Sequence, residues 1–157
     1  MNEQRKPTIL CFDPGNHTGW CCLYGDGEFD AGTIGENHSD VGRRIYDSAP
    51  DIIVYETFNM YPGMAHHLAW NSFYPCEVIG VIKYLSTEQH IPIIGQAPSI
   101  KQFAGGLPQV YKDAIRAGKF QSTEHSKDAT LHLAYYLRMN KQFERLRQAS
   151  PLSDLTV

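Results

Sequence analysis

The chain has 157 residues, 42% hydrophobic and 20% charged, with a formal net charge of −3. That length suits one domain with a real core, and the mildly acidic total excludes bulk non-specific attraction to nucleic acid as the main mode of action. No apolar run approaches the roughly 20 residues that span a bilayer, and residues 1–7 lack the apolar centre of a secretion signal, so a cytoplasmic protein is expected.

The net charge conceals an asymmetry. Residues 1–90 carry 5 Lys/Arg against 12 Asp/Glu, and residues 91–157 carry 9 against 5. A basic face in the second half beside an acidic site in the first is compatible with this, as are two ordinarily solvated faces. Cys11, Cys21, Cys22 and Cys76 have no C-x-x-C spacing. They are expected to be reduced core residues, free Cys behaving as a small hydrophobe.

In chain order, residues 1–7 read as a loose N-terminus, 8–148 as one domain and 149–157 as a frayed tail. Strands are expected over 8–12, 19–24 and 28–34, forming an antiparallel meander with a turn at Gly25-Asp26-Gly27. A short helix over 40–48 is stopped by Pro50. Residues 51–56, DIIVYE, have the β-branched centre of a strand buried on both faces. Residues 64–89 are mainly helical, with Pro75 near a break or a new first turn. A strand over 91–95, a short helix opening at Pro98 and ending at Gly105-Gly106, a helix over 109–117 closed by Gly118 and a last helix over 124–148 complete the order. A mixed sheet with helices on both faces fits it best: strands 1–3 antiparallel, then parallel strands 4 and 5.

The first and fourth strands share one property: each is an apolar run ending in an acid, Asp13 before Pro14-Gly15 and Glu56 before a loop. The last helix, EHSKDATLHLAYYLR, supplies partners. His125 and Asp128 are three apart and share a helical face, beside the apolar positions that pack the helix on the sheet. Three carboxylates and an imidazole at one place repel and are costly without a cation. Their donor chemistry suits Mg²⁺ or Mn²⁺. Two such ions about 3.5–4 Å apart activate a water and stabilise the leaving oxygen of a phosphodiester. The expected reaction class is therefore metal-assisted phosphodiester hydrolysis. Singly these signals are weak: D-P-G is a common turn, and Asp near a helix N-terminus suits the dipole. Their conjunction in this order is far more specific.

With these residues in view, the chain resembles the RuvC-type Holliday-junction resolvases of the RNase H-like superfamily. The matching pieces are ILCFDPGNHTGW, DIIVYETF, PSIKQFAGG and HSKDATLHLAYYL, covering residues 8–137. The resemblance implies that Asp13, Glu56 and Asp128 are acids of the metal site and that His125 stands where many members have a fourth Asp and others a His. It implies a homodimer that nicks two opposing strands of a four-way DNA junction with Mg²⁺ or Mn²⁺ and needs no nucleotide cofactor. The small size and divergent middle resemble a bacteriophage member, which would act in the host cytoplasm. By the same resemblance Lys101 and, more loosely, Lys112 lie near the DNA. The aromatic residues Phe58 and Tyr61, after Glu56, are candidates to stack on bases at the junction centre, where such stacking is worth about 1–3 kcal/mol per base. Trp70, Phe73 and Tyr74 fit the core or the dimer interface better, and the apolar helix over 64–85 is the candidate interface. His66-His67 and His17 carry no assigned role, and His132 reads as a core histidine.

Three rival readings remain. D-P-G-x-x-T-G also resembles the first phosphate loop of actin-like sugar kinases, but those need two such domains around a nucleotide. A related RNase H-like nuclease acting on flaps or RNA–DNA hybrids would use the same chemistry. A non-catalytic nucleic-acid-binding module has no reason to retain four costly ligands.

Overall fold

Strands Ile9–Asp13 (β1), Thr18–Leu23 (β2), Phe29–Ile34 (β3), Ile52–Glu56 (β4) and Ile93–Gln96 (β5) form one mixed sheet in the order β3-β2-β1-β4-β5. The computed structural model describes residues 5–59, Gly63 and 73–140. β1, β2 and β3 pair antiparallel, whereas β4 and β5 join parallel beyond β1. The mixed sheet is the expected one.

Helices cover both faces because the strands alternate. Ile9, Cys11, Cys21, Leu23, Phe29, Ala31 and Val54 point to one side. There they meet Val110, Tyr111 and Ala114 of α3 (Gln109–Arg116) and Ala129, Leu133 and Leu137 of α4 (Glu124–Met139). Leu10, Phe12, Trp20, Cys22, Ile34, Ile53 and Tyr55 point to the other. They meet Val41 and Ile45 of α1 (His38–Ser48) and Val78 and Ile82 of α2 (Tyr74–Glu88). Each fully buried large side chain contributes about 1.5–3 kcal/mol, so the two half-cores together hold the layers in place.

Local chemistry sets the boundaries. Asp13 pairs with Gly19 and so belongs to β1. The fifth strand starts at Ile93, later than expected, because Pro92 has no N–H to give a ladder; its carbonyl accepts from Ile53 N instead, at 3.0 Å. That shift carries the strand on to Gln96. Asn37 caps α1 by accepting from Ser39 N, and Ala49 takes a left-handed conformation (φ 42°) just before Pro50. Pro75 lies in the first turn of α2, as expected, and 98–103 is a 3₁₀ helix. α4 runs to Met139 with Asn140 as its cap, and the rest of the helix expected to residue 148 lies outside the described residues. Cys76 departs from expectation: Cys11, Cys21 and Cys22 are buried, but Cys76 is an exposed thiol. Among the described residues no helix is long and apolar enough to cross a membrane. Residues 1–4 and 141–157, and with them the tail at 149–157, lie outside the described residues, as do Tyr61, His66, His67, Trp70 and the expected helix before Asn71.

Candidate active site

The alternation that builds the core also aims the two strand-end acids. Asp13 continues the row Ile9, Cys11, and Glu56 continues the row begun by Val54, so both face the α4 side. β1 and β4 are parallel with Phe12 opposite Tyr55, which makes the next residues, Asp13 and Glu56, neighbours at one edge of the sheet. Asp13 is buried and Glu56 half-buried.

α4 brings the second pair. Its first turn is fixed from several sides. The Thr123 side chain accepts from Ser126 N while the Ser126 hydroxyl accepts from Thr123 N, both at 3.0 Å. Thr123 also shares a hydrogen bond with Thr33 of β3 (2.7 Å), and Ser126 one with Tyr111 of α3 (3.2 Å). Gly19 of β2 permits the closest approach: a Cβ there would lie 1.9 Å from the His125 carbonyl oxygen. Glycine is what lets this turn lie directly on the strand paired with Asp13. His125 Nδ1 consequently stands 3.9 Å from Asp13 Oδ2, and Asp128 follows one turn later.

Lys101, on the 3₁₀ helix, closes the cluster. Its Nζ lies 2.8 Å from Glu56 Oε2 and 2.8 Å from Asp128 Oδ2. Lys101, expected near the DNA, has its ammonium half-buried between two of the acids. Its hydrogen bonds to Asp128 and Glu56 outweigh burial and push it above the ordinary lysine value. Burial first, then the charge of Glu56, pushes the Asp13 carboxyl up to about 7, against the pull of Lys101. Glu56 moves the other way. Burial raises it, but hydrogen bonds from His132 and Lys101 prevail and hold it below the usual carboxylate range.

His132 is the residue that sequence reasoning passed over. It is indeed fully buried, yet its imidazole joins the site: Nε2 is 2.7 Å from Glu56 Oε2 and Nδ1 is 2.7 Å from Gln96 Oε1. Gln96 was not singled out at all. The available signal was spacing, since His125, Asp128 and His132 repeat at three and four residues along one helical face.

The arrangement can be tested against a metal. Among the described residues no three His, Cys, Asp or Glu side chains are gathered closely enough to hold one ion. Three carboxylates and an imidazole nonetheless fit a hard divalent cation by donor type. The site's demand for positive charge is visible in Lys101, whose ammonium already bridges two of the acids. By donor type, Asp13, Glu56, His125 and Asp128 are the side chains that could hold it.

The remaining candidates lie farther out. Lys112, on α3, is exposed, and its ammonium has no ion-pair or hydrogen-bond partner among the described residues. Phe58 is exposed just beyond β4, its ring 5.9 Å from Phe73. His17, in the hairpin after Asp13, lies with its ring 6.0 Å from that of His125.

No family profile matches the sequence, and no curated protein matches it. Solved structures do. RuvC of T. thermophilus in complex with a Holliday junction substrate is 18% identical, over 84% of this chain and 95% of that one, with a TM-score of 0.58. The yeast mitochondrial Holliday junction resolvase Ydc2 is 13% identical over 94% and 85%, with a TM-score of 0.51. The fowlpox virus Holliday junction resolvase is 12% identical over 85% and 98%, with a TM-score of 0.50. The chain has the RNase H-like fold that these resolvases share.

Proposed function

We propose that this chain is a structure-selective endodeoxyribonuclease that resolves four-way DNA junctions by metal-assisted phosphodiester hydrolysis, acting as a homodimer that leaves paired symmetric nicks. One observation carries the reading. Asp13 and Glu56, at the ends of neighbouring parallel strands, converge on the first turns of α4 with its His125 and Asp128. They do so in a fold shared with proteins named as Holliday junction resolvases, one of them seen with its junction substrate.

Asp13, Glu56, Asp128 and His125 would hold two Mg²⁺ or Mn²⁺ ions. When bound, these would supply an activated water and charge stabilisation at the leaving oxygen. The chain's own groups have definable roles. A carboxyl pushed up to about 7 must release its proton to act as a ligand, so cation affinity at Asp13 falls as pH drops below neutrality. Lys101, once drawn off Glu56 and Asp128, is a cation within reach of a phosphate at the same site. His125 is partly exposed and close to Asp13, placed for proton transfer at the attacking water or the leaving 3′ oxygen. Lys112 would contact the DNA backbone, and Phe58 with Tyr61 the bases at the junction centre. The dimer contact we favour is the outer face of α1 and α2, where Tyr46 and Tyr84 are exposed.

Labelled four-way junction, flap, duplex and RNA–DNA hybrid, each with Mg²⁺ and with Mn²⁺, test the reading. Symmetric paired nicks in the junction alone are expected, faster with Mn²⁺. Cleavage confined to the flap or hybrid would replace junction resolution with a related nuclease. The bridging of Glu56 and Asp128 by Lys101 also suits a non-catalytic binding module; junction binding with no cleavage under either metal would select it.

A further inference from the structure

We propose that His132, backed by Gln96, is a positioning residue for Glu56: it fixes the carboxylate through Oε2 and leaves Oε1 for a cation. The inference rests on the reading of Glu56 as a metal ligand and adds what keeps that ligand in place.

Three elements meet in this contact. Glu56 ends β4, Gln96 ends β5, and the two are opposite each other in the parallel register, so their side chains leave the sheet on one face. α4 covers that face and lays His132 over both. The imidazole is fully buried and in reach of both side chains, at 2.7 Å to Gln96 and 2.7 Å to Glu56. A glutamine amide can turn either its oxygen or its NH2 towards Nδ1. With the NH2 turned there, a neutral ring carrying its proton on Nε2 accepts from Gln96 and donates to Glu56, so both ring nitrogens are used.

Glu56 has a second tether, and the two differ in kind. Lys101 binds the same oxygen, Oε2, but its side chain is 23% exposed and it also binds Asp128. A cation entering the site competes with that ammonium for the carboxylates, and a phosphate competes for the ammonium itself. His132 is fully buried, and its two ring nitrogens meet Gln96 and Glu56. It holds the carboxylate whether or not Lys101 stays. Glu56 Oε1 has no partner among the described residues, so the pinned group keeps one oxygen available. Ligand carboxylates held by a buried hydrogen bond are a common way to preorganise a metal site, and losing such a partner costs about 10–100-fold in metal affinity or activity.

The test measures Mn²⁺ binding to the DNA-free protein by electron paramagnetic resonance of the free ion, alongside single-turnover junction cleavage and melting temperature. His132→Leu, an apolar replacement of similar size, is expected to weaken Mn²⁺ binding about 10-fold or more, with a matching fall in cleavage at sub-saturating Mn²⁺. His132→Gln, which can still extend an N–H towards Glu56, is expected to recover most of the loss. Should His132→Leu fail to fold, Gln96→Ala carries the test, with a smaller loss in the same direction. Folded His132→Leu or Gln96→Ala protein that binds Mn²⁺ like wild type overturns the inference, as does Glu56→Gln binding Mn²⁺ undiminished. Wild-type protein that binds Mn²⁺ through Glu56 and His132 yet cuts no junction leaves the positioning role standing and removes the nuclease reading.

Discussion

The two faces of the sheet are built from the same strands and carry opposite contents. Under α1 and α2 the contacts are hydrophobic, from Leu10 and Phe12 to Ile45 and Ile82. A buried hydroxyl there, Ser86, folds back onto its own helix at Ile82 O. Under α3 and α4 a comparable apolar core ends in a polar rim of Asp13, Gln96, Ser126, Thr130 and His132, all buried. Buried polar groups are costly unless paired, and four of these are paired: Thr130 to Ser126 O at 2.7 Å, Ser126 to Tyr111, His132 to Gln96 and Glu56; among the described residues Asp13 has only His125, at 3.9 Å. Parity along each strand decides the outcome. A residue one position away from Asp13 or Glu56 points into the other core, as Phe12 and Tyr55 do. One face supplies stability with little specificity, and the other accepts electrostatic cost at its edge to present chemistry.

The largest test of that contrast is Asp13→Asn. On the reading above, single-turnover junction cleavage falls roughly 10³-fold, the loss of several kcal/mol of cation-assisted charge stabilisation, while the metal-free protein becomes more stable near and above pH 7. The sign follows from the proton. The Asp13 carboxyl sits at about 7 in the fold against an ordinary 3.8, so the folded state binds the proton more tightly. Its contribution is fullest below the ordinary value and is lost as pH climbs to about 7, by at most roughly 4 kcal/mol at 1.36 kcal/mol per pH unit. Thermal melts from pH 4 to 8 without divalent cation should show wild type losing stability relative to Asp13→Asn. Glu56 has the opposite sign: held low by His132 and Lys101, it stabilises the fold above its ordinary value and that support fades as pH falls. A flat difference between wild type and Asp13→Asn across that range would mean that Asp13 is not buried among charges.

Ile82→Ala probes the other face. It removes a fully buried side chain beneath α2 and should cost about 2–5 kcal/mol in denaturant unfolding. The cleavage rate per folded molecule should not change. A fall in that rate, with stability restored by temperature or ligand, would show that the two faces are coupled.

Gly19→Ala sits between these cases. A Cβ there meets the His125 carbonyl at 1.9 Å, and because the obstacle is backbone, the first turn of α4 must move. Overpacking of this kind costs about 1–3 kcal/mol. The displacement also carries His125 and Asp128 away from Asp13, so cleavage should fall more than stability does. An Ala at Gly32, against the Trp20 side chain on the same pair of strands, should cost stability alone.

Much of this was legible in the chain. The continuous apolar run ILCF and the β-branched run IIV marked buried strands, and the acids ending them were conspicuous because a carboxylate at the end of a buried strand is costly unless compensated. The i, i+3 pair His125 and Asp128 was found by helical spacing. The tertiary links were not legible. Gln96 looked like a loop residue because Pro92 displaced the fifth strand towards it, and only parallel register puts it beside Glu56. His132 looked like core, and by burial it is. The role proposed for it depends on contacts with residues 36 and 76 positions away, which no local pattern encodes. The ion pairs of Lys101 were hidden for the same reason: two acids from different elements meet around it. Cys76 was misjudged because its helix is apolar on average although that position faces outward.

The smallest expected effect separates the two faces in their approach to DNA. Lys112 is an unpaired, exposed cation on α3, over the polar-rimmed face, while Arg43 is an exposed cation on α1 that pairs with Asp40 at 3.0 Å. If the junction is engaged from the α3–α4 side, Lys112→Ala should weaken junction binding only a few-fold. It should also lower the slope of log affinity against log salt by about 1, the share of a single phosphate contact. Cleavage at saturating protein should hold, because Lys112 is not among the groups around Asp13. Arg43→Ala should leave both affinity and slope unchanged. Fluorescence anisotropy of a labelled junction in Ca²⁺, from 50 to 200 mM salt, resolves the difference. An altered slope in Arg43→Ala with none in Lys112→Ala would place the DNA against α1 and α2, and would force the site at Asp13 to be reached around the sheet edge instead of over it.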